Sequence, residues 1–152
     1  MRRALVVLLA ILALAVGITT PAHADDVDFL GLPAKCRIET TICVDTTFLV
    51  LHYVKDGTVQ RTLDIRIGAP QFPTDLGEFR VYRKARDHRS TDYHTPMPYS
   101  LFYNGAESIH YSPAFKRDGY NGASRGCVNL RSLAGAAWLF RHSPIGTRVY
   151  VY

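Results

Sequence analysis

Cysteine is scarce in this chain, long hydrophobic runs are nearly absent, and no stretch is dominated by charge of one sign. Three cysteines among 152 residues are too few for a disulfide-rich scaffold. His52, His88 and His94 are the histidines a metal would need, but no His/Cys cluster has zinc-ligand spacing, so no metal and no other cofactor is expected. No Lys/Arg run with interleaved aromatics occurs, which argues against nucleic acid as a partner. Repeats and low-complexity tracts are missing. A single apolar run stands out, the 13 consecutive residues 4–16, and it falls short of the about 20 residues that span a bilayer.

That run follows the basic start Met1-Arg2-Arg3 and precedes Ala22-His23-Ala24, a small-x-small cleavage pattern. The order is that of a secretory signal peptide over residues 1–24, the alternative being an uncleaved N-terminal anchor. Cleavage after Ala24 would leave residues 25–152, 128 residues with 16 basic and 13 acidic side chains. This length suits one domain with a proper core. The expected product is secreted, in a cell-wall or periplasmic-type space, with no stable membrane span. Its mild positive charge suits an anionic polymer without specifying one.

In such an oxidising compartment an odd thiol is either paired with another chain or free and reactive. Cys36 and Cys43 are separated by six residues, and Cys127 lies far downstream. The close pair is the natural disulfide, which leaves Cys127 free.

The hydrophobic pattern is mostly of period two. Thr47-Phe48-Leu49-Val50-Leu51-His52-Tyr53-Val54 and residues 59–67 flank Asp56-Gly57, a strong hairpin signal. Within the second run Val59, Leu63, Ile65 and Ile67 share one parity, Gln60, Thr62, Asp64 and Arg66 the other, and Arg61 breaks the alternation. Residues 77–84 read as a third strand, residues 99–103 and 107–110 as short strands around Asn104-Gly105, and residues 148–152 as a closing strand. Residues 85–98 and 113–122 read as loops, the first charged and irregular. One helix is expected, capped by Ser132 with Leu133, Ala136, Ala137 and Phe140 on one face, and weakened by Gly135. The fold class is therefore mainly β, a sandwich or barrel with one helix in the C-terminal region.

The segment with most chemical character is Gly122-Ala123-Ser124-Arg125-Gly126-Cys127-Val128-Asn129-Leu130. A nucleophilic thiol needs a neighbouring cation, imidazole or oriented amides to favour the thiolate. Arg125 and the upstream His110 can serve, and the amides of Gly126 and Cys127 can act as oxyanion donors. Taken locally, a buried structural cysteine beside a turn explains the segment equally well.

The wider pattern resembles the L,D-transpeptidase (YkuD-type) catalytic signature. Ser108-Ile109-His110-Tyr111 is followed, with thirteen residues between His110 and Ser124, by Ser124-Arg125-Gly126-Cys127-Val128-Asn129. Thr74-Asp75-Leu76-Gly77-Glu78-Phe79 is similar to the family's Thr-Pro-x-Gly-x-Phe segment. Met97-Pro98-Tyr99-Ser100-Leu101-Phe102 is similar to its Met-Pro-Tyr stretch. The likeness covers residues 42–152. It implies that Cys127 is the nucleophile, that His110 is its base, and that the carbonyl of Tyr111 orients the imidazole. It also implies that Asn129, with Ser124, Arg125 and Gly126, orders the site, and that Tyr93 and Met97 line the acyl-donor pocket. Arg125 stands where many members have His. The implied substrate is the peptidoglycan tetrapeptide stem, with a carbapenem as a possible adduct. The acceptor stays open: a second stem gives a 3→3 cross-link, a protein gives wall attachment, and water makes the enzyme an L,D-carboxypeptidase. The rival from another class is a non-catalytic wall-binding protein of the same fold.

Overall fold

The computed structural model describes residues 31–152; the expected signal peptide lies outside the described residues. Nine strands form one sheet: β1 (Thr41–Asp45), β2 (Val50–Lys55), β3 (Thr58–Arg66), β4 (Gly77–Arg80), β5 (Arg83–Arg89), β6 (Pro96–Asn104), β7 (Glu107–Tyr111), β8 (Val128–Leu130) and β9 (Arg148–Val151). Their order across the sheet is β4-β9-β1-β2-β3-β8-β7-β6-β5. Pairing is antiparallel except for β1 with β9 and β7 with β8.

The hairpin read around Asp56-Gly57 is β2–β3, and both turn residues have positive φ, 51° and 72°, as the primed two-residue turn requires. A register shift at Tyr53/Val54 accounts for the broken alternation near Arg61, since a bulge moves side chains to the other face. Arg61 then stacks its guanidinium over Trp138, 4.6 Å from the ring centre. The segment expected as one strand over residues 77–84 is two strands at opposite edges of the sheet. Val81 and Tyr82 join them: Val81 N donates to Thr147 O (2.9 Å) and Tyr82 N donates to Phe102 O (2.9 Å). One backbone step thus spans from the β9 side to the β6 side, so the sheet curls almost into a barrel.

The charged residues 85–98 are mostly strand and not loop. Arg83 to Arg89 pair with β6, and the charge is that of an edge strand, where it discourages further pairing. The irregular part shrinks to residues 90–95. A second helix also replaces an expected loop: α1 (Pro113–Asp118) lies within residues 113–122. Ser112 caps it by accepting from Phe115 N (3.1 Å), Pro113 opens it, and Gly119 closes it with φ 58°. Six residues give no periodicity to detect, and Phe115 is its single buried anchor. The expected helix is α2 (Leu133–His142), with Ser132 accepting from Gly135 N at 3.0 Å. Its buried face is Gly135, Ala136 and Leu139, and Leu133 is exposed. Gly135 allows close approach to β3, because a Cβ there would lie 2.6 Å from Leu63 Cδ2.

The main core lies inside the curl, between the sheet and α2, with Ile42, Val44, Leu51, Ile65, Ile109, Val128 and Leu139 fully buried. A second cluster on the other face of β1 holds Leu32, Val54, Tyr150 and the Cys36–Cys43 disulfide. That bridge ties a short 3-10 turn (Ala34–Arg37) to β1. Replacing both cysteines by alanine is expected to cost about 2–3 kcal/mol by the chain-entropy account of so short a loop. Urea unfolding reads the loss as a lower midpoint; an unchanged midpoint would mean the bridge adds nothing.

Candidate active site

Three adjacent strands place the site in one row. In the parallel β7–β8 pair His110 sits opposite Asn129, and in the antiparallel β3–β8 pair Asn129 sits opposite Arg66. The side chains of Arg66, Asn129 and His110 therefore run side by side across the sheet. Residues two apart share a face, which brings Ser108 to the same side as His110. Cys127 lies just before β8, its Sγ 3.8 Å from Ser108 Oγ and 3.9 Å from Ala106 O.

Hydrogen-bond logic assigns every proton in the row. His110 Nδ1 lies 2.8 Å from Tyr111 O; a carbonyl only accepts, so Nδ1 carries the hydrogen. Arg66 has only donors, and its Nη2 is 3.1 Å from Asn129 Oδ1, which fixes the amide orientation. Asn129 Nδ2 then donates to His110 Nε2 at 3.1 Å, leaving Nε2 as the basic nitrogen. Burial pushes the His110 imidazole down to about 4, against the opposing pull of the Tyr111 carbonyl; His88 lowers it further. Burial also raises the Cys127 thiol, and Glu107 adds to this, while the Ser108 contacts lower it. The resting pair is therefore a neutral thiol and a neutral imidazole.

The turn before Cys127 is held by its backbone. Gly126 has φ 97°, and a Cβ there would lie 2.9 Å from Glu107 Oε1, so only glycine fits. Thr74 Oγ1 donates to Gly126 O (2.7 Å) and accepts from Gly68 N (3.0 Å). Because the peptide is planar, this grip on the carbonyl also fixes the direction of the Cys127 N–H. Ser124 Oγ donates to Cys127 O, and Ser124 N donates to Ile67 O at 2.9 Å. Gly68 tolerates no side chain either, since its Cβ would meet Phe72 O at 2.0 Å.

A cleft of about 660 Å3 opens over Cys127, His110 and Asn129, and Ser124, Arg125, Tyr93 and Met97 also line it. Arg125 lies over the Tyr93 ring at 3.9 Å, strapping the loop of residues 90–95 across the cleft. Met97 belongs to β6 and not to that loop; it is buried opposite His88. His52 instead pairs with Thr62 on β2–β3 (2.8 Å) and His88 packs on Phe102 (5.0 Å). Among the described residues no three His, Cys, Asp or Glu groups converge as a metal site would require.

Three ordering residues escaped the sequence reading. Arg66 fell on the polar parity of β3, where alternation predicts an outward side chain, yet it is 7% exposed. Ser108 and Thr74 stood inside recognised segments, but their contacts depend on strand register. The role of Arg66 has a direct test. In Arg66→Met the guanidinium is gone, so Asn129 is free to turn its Oδ1 toward Nε2 and a nearby positive charge is lost. Both changes favour imidazolium, and an NMR titration should place the His110 pKa above that of the wild type. An unshifted titration would show that Arg66 does not act on the imidazole.

The L,D-transpeptidase catalytic domain family (YkuD) matches residues 39–151. The chain belongs to the L,D-transpeptidase catalytic domain family. Solved relatives agree. An L,D-transpeptidase from Stackebrandtia nassauensis is 29% identical with a TM-score of 0.68, over 74% of this chain and 54% of that one. The Ldtfm–avibactam carbamoyl enzyme is 31% identical with a TM-score of 0.66, over 75% and 49% of the two chains. The LD transpeptidase LdtMt1 in complex with imipenem is 25% identical with a TM-score of 0.66, over 74% and 58%. The chain thus spans about half to three-fifths of the length of these L,D-transpeptidases. No curated protein matches it.

Proposed function

We propose that this chain is an exported acyltransferase that works on peptidoglycan tetrapeptide stems through a thioester at Cys127. The observation that carries the reading is the free Cys127 thiol in one cleft with a buried imidazole whose Nε2 is unprotonated. In the first half-reaction the sulfur attacks the carbonyl carbon of the third stem residue as its proton passes to His110 Nε2, displacing the Asn129 Nδ2 hydrogen bond that Nε2 accepts at rest. The amide bond to the terminal D-alanine then breaks, and the departing nitrogen takes that proton back. In the second half-reaction an acceptor amine attacks the thioester, loses a proton to the same nitrogen, and frees the thiol. The fixed amide of Cys127, with that of Gly126, is suited to receive the oxyanion.

Export rests on the leader pattern of residues 1–24, with residues 25–152 as the catalytic unit. No helix of the described residues is long and apolar enough to cross a membrane. The test is intact mass spectrometry after incubation with purified tetrapeptide muropeptides. A transient adduct of the stem minus D-alanine is expected, and the product mass distinguishes a second stem, a protein or water as acceptor. A stem left uncleaved, with no adduct, would support a binding role in place of catalysis.

Relatives bound to imipenem and avibactam motivate a companion experiment. A carbapenem should add its whole mass to the wild-type protein, because opening a strained lactam expels no fragment, and Cys127→Ala should stay unmodified. Equal labelling of both proteins would locate the reaction elsewhere.

A further inference from the structure

The cleft beside Cys127 is unevenly charged. Arg66, Arg83, Arg117 and Arg125 line it, against one carboxylate, Asp92. Arg117 is satisfied by Asp118, with contacts of 2.6 and 2.7 Å. The other three have no carboxylate within ion-pair distance among the described residues. Arg83 lies over the Phe102 ring at 3.5 Å and Arg125 over Tyr93 at 3.9 Å. Stacking on a ring holds the planar group in place and leaves its edge donors available for a bidentate acceptor.

Solvation explains two exposed arginines but does not explain Arg66. That side chain is 7% exposed and its Nε has no hydrogen-bond partner. Its hydrogen bonds and ring contact are to neutral groups: Asn129 Oδ1, Gly119 O at 3.3 Å, and the Phe115 ring. The Asp118 carboxylate acts on it through space but is itself held by Arg117, so a buried cation with no carboxylate in direct contact lines the cleft that receives the ligand. Glu107, whose charge reaches Cys127, is not part of the lining. Its oxygens are taken by Asp75 N (3.2 Å) and Asn104 Nδ2 (3.3 Å).

We propose that Arg66, Arg83 and Arg125 select an acyl donor with free carboxylates close to the scissile bond over the same peptide bearing carboxamides there. The inference deepens the acyl-transfer reading and rests on it for the identity of the donor. The ligand supplies the negative charge that the cleft lacks, and the guanidiniums fix its orientation before the sulfur attacks.

Two measurements test this. The first needs no turnover. Cys127 is alkylated with anionic iodoacetate and with neutral iodoacetamide, and the rate ratio is divided by the same ratio for glutathione. At low salt the normalised ratio should favour iodoacetate by roughly three- to tenfold, and it should shrink in concentrated salt. The double variant Arg83→Gln/Arg125→Gln should bring it toward one, whereas Arg83→Lys/Arg125→Lys should retain most of it. A normalised ratio at or below one in the wild type overturns the proposal. The second compares kcat/KM for a tetrapeptide stem with free side carboxylates and for the same stem as carboxamides. The carboxylate form should be used at least about threefold better, and the glutamine double variant should narrow the gap. Equal or faster use of the carboxamide stem overturns the proposal whatever the alkylation ratio. If neither stem is consumed, it is the acyl-transfer reading that fails, and the alkylation ratio alone decides the preference of the cleft for anions.

Discussion

Replacing Cys127 by alanine is expected to abolish release of D-alanine from a tetrapeptide stem, and Cys127→Ser to leave only a trace. The side chain sits at the mouth of β8, touching Ser108 and the Ala106 carbonyl, and no other free cysteine exists among the described residues. Alanine removes the attacking atom. Serine keeps the shape, but its hydroxyl is far harder to deprotonate, and nothing at the site supplies the missing driving force. Thermal unfolding should show that both variants still fold, since the position lies outside the main core. Turnover of Cys127→Ala at even a tenth of the wild-type rate would remove this residue from the chemistry.

His110→Ala should lower kcat/KM by roughly two to four orders of magnitude, the usual worth of a general base. The pH profile carries more information than the loss. In the wild type the imidazole is held down to about 4 by burial. It is unprotonated from there upward, so the acid limb should lie well below the range of an ordinary histidine. In the variant no base remains and the reaction must wait for thiolate. Burial raises that thiol, so the residual rate should climb with pH toward the alkaline side. A wild-type acid limb near the ordinary histidine range, together with an unchanged profile in the variant, would exclude His110 as the base.

The parts of this architecture that could be read in the sequence share one property: their cause is local. The Asp56-Gly57 turn, the Ser132 cap and the leucine and isoleucine alternation of β3 depend on residues a few positions apart. The Ser108–His110 and Ser124–Asn129 segments were conspicuous because their chemistry is compressed into short motifs. What escaped depends on distant partners. Arg66 reads as a solvent-facing residue until β8 lies beside β3 and supplies Asn129. Residues 77–84 look like one strand because nothing local shows that Val81 and Tyr82 bond to opposite margins of the sheet. The charges of Arg83 to Arg89 imitate a loop because a sheet edge and a loop both face water. Helix α1 is shorter than two turns, so only its Ser112-Pro113 start and Gly119 stop were available as signals.

The order of strands also has a temporal side. Among the described residues β8 is the sole link between β3 and β7, and β9 is the sole link between β1 and β4. Each is made after every strand it joins. While the chain is being synthesised, the earlier hairpins can form, but they remain unattached pieces with open edges. Such distant pairings are slow to form. Arg66, Asn129 and His110 cannot align before β8 is seated, and the sheet cannot curl shut before β9 fills its gap. A nascent copy would therefore carry a thiol without a working base. Its reactivity would appear only once the last strands had arrived, which would keep the nucleophile quiet until the fold is complete.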